Sequence, residues 1–149
     1  MIQRKQTVFL FSTILFLILL FIFPSFSFKK DGEEIPLLIY GMGELQTNFL
    51  VLILLNVSSI VLLAVIIFLY KNRTKQIFLC RVSTFLIAGL IVAIFYFAEN
   101  VKKNSEVAGF LMEMQPALVA PIAALLLVIL ANRAIRKDEE LVRSADRLR

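Results

Sequence analysis

The sequence predicts an all-α membrane protein, a four-transmembrane-helix bundle with both termini in the cytoplasm and a basic helical tail. Three observations predict it: four long apolar stretches, basic clusters at alternate junctions between them, and a composition that is 60% hydrophobic and only 18% charged over 149 residues. Soluble domains of this length normally carry fewer apolar and more charged residues. We therefore expect a single integral membrane domain over residues 1–149.

The first apolar stretch predicts a span over about residues 7–25, directly after a basic N-terminal opening. A cleaved signal peptide is the alternative interpretation, with a cleavage site at residues 25–27. We favour an uncleaved span, because the apolar run is long for a signal peptide and bulky phenylalanines surround the site.

The next two apolar stretches predict spans over residues 49–70 and 80–98, both long enough to cross the hydrocarbon core. The fourth span, over residues 116–135, has a shorter apolar centre and reaches bilayer length if Pro116 occupies the first helical turn. Pro121 then predicts either a bend one turn into the helix or a helix that starts later than Pro116. A cytoplasmic tail helix follows over residues 136–149.

Two short segments, residues 24–48 and 99–115, join the spans on the side opposite to the termini. The first contains a charged turn at residues 29–34. The apolar residues 35–40 after it would lie in the membrane interface as a short strand or a re-entrant segment. Neither segment is long enough to form a folded extracellular domain by itself.

The distribution of lysine and arginine predicts the orientation. The N-terminus, the junction near residue 75 and the C-terminal tail together hold twelve of the 16 basic residues, whereas the other two junctions hold four of them beside seven of the eleven acids. Under the positive-inside rule both termini are cytoplasmic. We therefore expect a multi-pass membrane protein whose two ends lie on the same, cytoplasmic side.

Residues capable of catalysis are scarce. The chain has no histidine and Cys80 is its single cysteine, so histidine-based dyads and intrachain disulfides are excluded. Glu33 and Glu34 are adjacent carboxylates, but a solvated turn accounts for them. The spans carry no ionisable residue near a midplane, which argues against a proton-coupled carrier. We expect no enzyme activity, no cofactor and no metal.

One polar group lies inside the second span and has two interpretations. Asn56, Ser58 and Ser59 could line a small polar cavity, or they could form hydrogen bonds between helices or to their own backbone. We favour the second interpretation, because serine and asparagine commonly join membrane helices.

Small residues predict a contact between the third and fourth spans. Gly89 and Ala93 are four residues apart in the third span, and Ala117, Ala120 and Ala124 share one face of the fourth. Small residues at this spacing let helix backbones approach closely.

The tail is the other candidate site. It has high helix propensity and a broad apolar stripe, with basic residues beside it. It would either lie on anionic lipid head groups of the bilayer or dock onto a cytoplasmic protein or a neighbouring membrane subunit. Interleaved acids argue against nucleic acid as a partner. The predicted contact residues are Gln3, Arg4, Lys5, Arg133, Arg136, Lys137, Arg143, Arg147 and Arg149.

The two ends of the chain, Met-Ile-Gln-Arg-Lys-Gln-Thr-Val at the start and Ala-Asn-Arg-Ala-Ile-Arg-Lys-Asp-Glu-Glu-Leu-Val-Arg-Ser-Ala-Asp-Arg-Leu-Arg at the finish, resemble a known family. It is a bacterial family of small four-span inner-membrane proteins of unknown function. The resemblance implies an uncleaved first span and a four-helix membrane protein. It supplies no activity, cofactor or site residue, since the family has none assigned.

These observations predict a non-enzymatic subunit or assembly factor of a larger inner-membrane complex, with the tail and the N-terminal residues as the contact. The alternative is a small oligomeric transporter or channel whose path is lined by Asn56, Ser58 and Ser59. A membrane enzyme ranks third and would have to use loop carboxylates, namely Glu33, Glu34, Glu99 and Glu113.

Overall fold

The computed structural model describes residues 3–30, 33–40, 49–70, 72–103 and 111–147. Four α-helices dominate it: α1 (Gln3–Ile22), α2 (Leu50–Phe68), α3 (Arg73–Lys103) and α4 (Val119–Arg147). Three short strands lie between them, β1 (Phe26–Lys30), β2 (Glu33–Leu37) and β3 (Leu111–Met114). A 3₁₀ turn, Pro116–Leu118, leads into α4.

The helices pack as a ring of four. Each helix contacts the next one along the chain, and α1 also packs along α4. In every helix the buried residues recur at spacings of three and four, which places them on one stripe facing the bundle axis. In α1 this stripe includes Leu10, Leu17 and Leu20, all at most 1% exposed. The interior is therefore a packed core built from one face of each helix.

The outward faces of the same helices are strongly apolar. Phe11 on α1, Val61 on α2, Phe85 on α3 and Leu126 on α4 are all more than half exposed. Within the described residues, three helices are long and apolar enough to cross a membrane, namely α2, α3 and the segment Pro116–Val142; in α1 the apolar stretch Gln6–Ile22 is shorter. An apolar exterior around a partly polar interior suits a lipid environment.

A three-stranded antiparallel sheet corrects the all-α prediction. The strand order is β2-β1-β3, with Phe28 opposite Ile35 in β2 and opposite Met112 in β3. The two joining segments, each too short for a domain, therefore combine into one sheet. Asp31-Gly32, which separates β1 from β2 in the sequence, is a dipeptide typical of two-residue hairpins, a more specific signal than the charged turn predicted at residues 29–34.

The sheet covers one end of the bundle, which we call the sheet end. Phe26 and Phe28 on β1 are completely buried. The Phe26 ring packs edge-on against Phe95 of α3, with 5.5 Å between ring centroids. The opposite end, where α1 begins and α2 meets α3, is called the tail end.

The structure shows where α4 begins relative to Pro116 and Pro121. Pro116 opens the 3₁₀ turn and the α-helix proper begins at Val119, later than Pro116. Pro121 lies in the first turn of α4, where a backbone N–H would have no partner within the helix, so the helix continues past it. From there α4 runs unbroken to Arg147, and we call residues 136–147 the α4 extension.

Candidate functional site

Two glutamines join neighbouring helices at the tail end. Gln6 of α1 donates from Nε2 to the carbonyl of Ala134 in α4 at 3.3 Å, and Gln76 of α3 donates to the carbonyl of Ile66 in α2 at 2.8 Å. Both glutamines are buried. Hydrogen bonds from buried amides to backbone carbonyls fix the relative height of antiparallel helices, because the carbonyl positions are set by the helix itself.

An ion pair ties the base of the α4 extension to α3. Arg73 donates to the backbone carbonyl of Asp138 at 3.1 Å, and its guanidinium lies 3.7 Å from the Asp138 carboxylate. The Asp138 side chain is only 10% exposed, against 26% for Arg73. A pair this poorly solvated is held in one geometry, so the beginning of the extension is anchored to the bundle.

On both sides of this anchor the α4 extension presents a mixed surface. Arg136 and Lys137 are exposed, and so are Leu141 at 50% and Val142 at 44%. Arg133, one turn earlier, is also exposed. Cationic side chains beside exposed aliphatic ones suit a groove that is apolar with acidic edges.

The other predicted contact residues are described less completely. The side chains of Gln3, Arg4 and Lys5 in α1 and of Arg143 and Arg147 in α4 lie outside the described part of the structure. Arg149 lies outside it altogether. The structure therefore brings Arg133, Arg136 and Lys137 together on one helix and leaves the rest of the predicted contact untested.

The predicted polar group of α2 is divided between two faces. Asn56 and Ser59 are fully buried on the interior stripe, but Ser58 is exposed and bonds only the carbonyl of Leu55. Ser58 points away from the interior face that carries Asn56 and Ser59, so the three side chains do not share one face of α2. The Asn56 amide donates to the carbonyl of Leu17 in α1 at 3.1 Å.

Two further hydroxyls lie at the height of Ser59. The Gln76–Ile66 hydrogen bond places these two residues of the antiparallel helices α3 and α2 at the same height. Ser83 is seven residues after Gln76 and Ser59 is seven residues before Ile66, so the two serines also lie at the same height. The Asn56–Leu17 hydrogen bond sets the register of α2 against α1 in the same way. Thr13 is four residues before Leu17 and Ser59 is three residues after Asn56, so Thr13 lies at about the height of Ser59. We call Thr13, Ser59 and Ser83, all completely buried, the hydroxyl layer.

The predicted small-residue contact is half wrong. Gly89 is exposed, and a Cβ placed on it would meet no atom within 4 Å, so Gly89 makes no close helix contact in the described part of this chain. Ala93 is only partly buried. On α4, however, Ala120 and Ala124 are 5% and 0% exposed on the interior stripe, while Ala117 is partly buried. Helices α3 and α4 do pack together, but through the stripe that carries Ile87 and not through Gly89.

Two of the loop carboxylates, Glu34 and Glu113, contact the same lysine, Lys29. Lys29 of β1 donates to Glu113 at 2.7 Å and lies 3.5 Å from Glu34, across both of its neighbouring strands. The hydrogen bond to Glu113 raises the pKa of Lys29 above its usual 10.5. The Glu33 side chain lies outside the described residues, and Glu99 is exposed on α3. Among the described residues no group of acids or Cys80 could hold a metal ion.

An apolar groove of about 490 Å³ lies between the end of α1 and the start of α4. Phe16, Leu19 and Phe23 form one wall and Pro116 and Val119 belong to the other. Gln115 contributes the polar side chain at the sheet end, where its Nε2 donates to Ser27 Oγ at 2.7 Å. The lining has no group that could perform acid–base chemistry.

Sequence reasoning missed Gln6, Thr13, Gln76, Ser83 and Asp138, which are all buried. The signal was present, because each polar residue falls at a spacing of three, four or seven from the apolar residues of its stripe. Isolated neutral side chains and residues near helix ends differ from the compact Asn56, Ser58 and Ser59 group, because each is recognisable only from the stripe to which it belongs.

The chain belongs to the family described as Domain of unknown function (DUF4293), whose model matches residues 2–148. This confirms the expected membership of a family without an assigned function. No curated protein and no solved structure matches the chain.

Proposed function

We propose that this DUF4293 protein is a non-enzymatic subunit or assembly factor of a larger bacterial inner-membrane complex, and that it binds its partner through the α4 extension. All four helices would cross the membrane, with both termini in the cytoplasm and the sheet end outside. The partner is a cytoplasmic protein or a neighbouring membrane subunit with an apolar, acid-edged groove.

The four-span topology is supported by the ring of four helices and their apolar outer faces. Helix α1 packs along α4 as an equal member of the ring, and its exposed face is as apolar as those of the other helices. The basic residues concentrate at the tail end, as the positive-inside rule requires of a cytoplasmic side.

The single observation that carries the docking proposal is the continuity of α4. Its 29 residues extend over about 43 Å, more than the roughly 30 Å hydrocarbon core. The surplus projects beyond the tail end and exposes Leu141 and Val142 beside Arg136 and Lys137. Because the Arg73–Asp138 pair anchors its base, the extension is held in place before it binds, which reduces the entropy cost of association.

The test is purification of the tagged full-length protein in a mild detergent, followed by mass spectrometry of the proteins that accompany it. A tag between residues 43 and 47 leaves both ends and the β1–β2 pair intact. The key variant is Arg136→Glu with Lys137→Glu. The matched control is Lys102→Glu with Lys103→Glu, an identical charge change on two exposed lysines at the other end of α3.

We expect a stoichiometric partner that is lost in the Arg136/Lys137 variant and retained in the control. A second variant, Leu141→Ser with Val142→Ser, should lose the same partner, because the apolar contact is part of the surface. A protein that purifies alone, or a partner that survives both tail variants, would refute the docking proposal.

The alternative, a small oligomeric transporter, is favoured by the buried Asn56 and Ser59. Leu17, Leu52 and Leu90 fill the same interior at 2% exposure or less, which favours the subunit proposal over a path through one chain. A transporter should tolerate loss of the α4 extension and fail in the Asn56→Leu variant, the opposite of what docking predicts.

A further inference from the structure

We propose that an ordered water molecule occupies the middle of the bundle and bridges Asn56 Oδ1 on α2 to Ser83 Oγ on α3. This site is independent of the docking surface, which lies at the tail end. It would hold α2 and α3 in register at the depth where the bilayer itself offers no polar partner.

The first argument is that both atoms are buried and unpaired. Asn56 and Ser83 are each 0% exposed, and neither Asn56 Oδ1 nor Ser83 Oγ has a hydrogen-bond partner among the residues that the structure describes. Buried polar atoms in folded proteins are nearly always paired, and ordered water supplies the partner when no protein group does.

The second argument is position. Helices α2 and α3 are packed neighbours, and both residues lie on the interior stripes of these helices. Ser83 is level with Ser59, and Asn56 is less than one helical turn away from Ser59 on the same face. The two unpaired atoms therefore lie within the height of a single turn.

The orientation of the Asn56 amide adds a third argument. The carbonyl of Leu17 can only accept a hydrogen bond, so the amide nitrogen must face α1, as it does at 3.1 Å. The amide oxygen then points to a different part of the interior. Since an amide oxygen can only accept, its partner must be a donor, which water is.

The hydroxyl layer supplies further capacity for the same water. Ser59 and Thr13 direct their hydroxyl hydrogens to the carbonyls of Leu55 and Phe9, at 2.7 and 2.8 Å, so both hydroxyl oxygens keep a free lone pair. A water that donates to Asn56 and exchanges a hydrogen bond with Ser83 has two partners, and the neutral surroundings suit a neutral ligand.

The experiment is the Ser83→Ala variant, measured by thermal unfolding of the full-length protein in detergent. If water bridges the two atoms, the loss of Ser83 Oγ removes one of its partners. The apparent melting temperature should then fall by about 3 °C. The matched control is Thr84→Ala, the neighbouring hydroxyl, which bonds the carbonyl of Cys80 in its own helix and should change the melting temperature by less than about 1 °C.

A melting temperature of Ser83→Ala that equals or exceeds that of the wild type would overturn the proposal, because removal of an unpaired hydroxyl costs nothing when no ligand is bound. A high-resolution crystal structure of the wild type gives a second readout that needs no variant. Density within hydrogen-bond distance of both Asn56 Oδ1 and Ser83 Oγ supports the proposal, and its absence from a well-ordered interior overturns it.

Discussion

The two ends of the bundle are held together in different ways. At the sheet end, backbone hydrogen bonds join β1 to the adjacent β2 and to the distant β3, and two buried phenylalanines close the structure. At the tail end, single polar side chains such as Gln6 and Arg73 reach the backbone of a neighbouring helix, and α4 continues outward. The sheet end is closed by a cover, whereas at the tail end α4 continues past its neighbours with an exposed surface, the one that we propose binds a partner.

This difference matters for stability. A buried aromatic ring contributes through its whole apolar area, whereas a polar side chain that bonds a carbonyl contributes a small net amount after its desolvation. Substitutions should therefore lower the free energy of unfolding more at the sheet end than at the tail end. Substitutions that affect the proposed binding should cluster at the tail end.

The largest effect is expected for Phe26→Ala. It removes a fully buried ring that packs on Phe95, and should lower the free energy of unfolding by about 3–5 kcal/mol. Unfolding in detergent, followed by circular dichroism, measures it. Phe85→Ala is the control. Phe85 is 79% exposed on α3, so its loss should lower the free energy of unfolding far less. Equal losses in the two variants would mean that the sheet is not a structural cover.

The next effect is expected for Asp138→Ala at the tail end. The change leaves the partly buried Arg73 without its carboxylate and should cost about 2 kcal/mol, less than for a fully buried pair because Arg73 retains some solvent. Hydrogen exchange should show faster exchange in the α4 extension and unchanged protection in β1. Glu140→Ala, which removes an exposed acid two residues away, is the control. Loss of protection at both ends would contradict their independence.

A smaller effect is expected from pH at the sheet end. Because contact with Glu113 raises the pKa of Lys29 above 10.5, the charged lysine stabilises the fold at lower pH, and this contribution is lost as the pH rises through the raised value. The difference in melting temperature between wild type and Lys29→Met should be constant up to about pH 10 and shrink above it. A difference that persists to pH 12 would show that the lysine acts through packing.

The smallest effect is expected for Gly89→Ala on the outward face of α3, which belongs to neither end. A Cβ there meets nothing within 4 Å, so the change should leave stability unchanged or raise it by up to about 1 kcal/mol through helix propensity. Ala124→Leu is the contrast, because that position is fully buried and overpacking should cost about 1–3 kcal/mol. If the Gly89 variant unfolds more easily, the outward face is in contact with another molecule.

The helices were predictable because the bilayer imposes a strong local rule. Long apolar runs must satisfy their backbone groups internally, so each run predicts a helix from its own residues alone. The two prolines left two alternatives open, a bend near Pro121 or a helix that starts later than Pro116, and the structure has the later start, at Val119. The four-span topology and the cytoplasmic placement of both ends remain predictions.

The candidate site was only partly predictable. The basic tail helix could be recognised from its composition, and Arg136 and Lys137 are indeed exposed on it. The ion pair that anchors this helix could not be recognised from the sequence, because Arg73 and Asp138 are 65 residues apart and come into contact only when α3 packs against α4. Small residues in a span predicted a contact at Gly89, but the face that a helix buries depends on the entire stripe, and Gly89 lies off it.

By itself the sequence determined the helices, the lipid-compatible exterior and the basic tail, since each follows from residues close together in the chain. Only the tertiary structure decided that two short segments form one sheet, because β1 and β3 are more than 80 residues apart and pair after the helices have brought them together. It also decided that Asn56 and Ser83 share an interior with Thr13, which requires the register between helices. Neighbouring residues in the chain determine the secondary structure of each segment, and the packing of the segments determines which side chains come into contact.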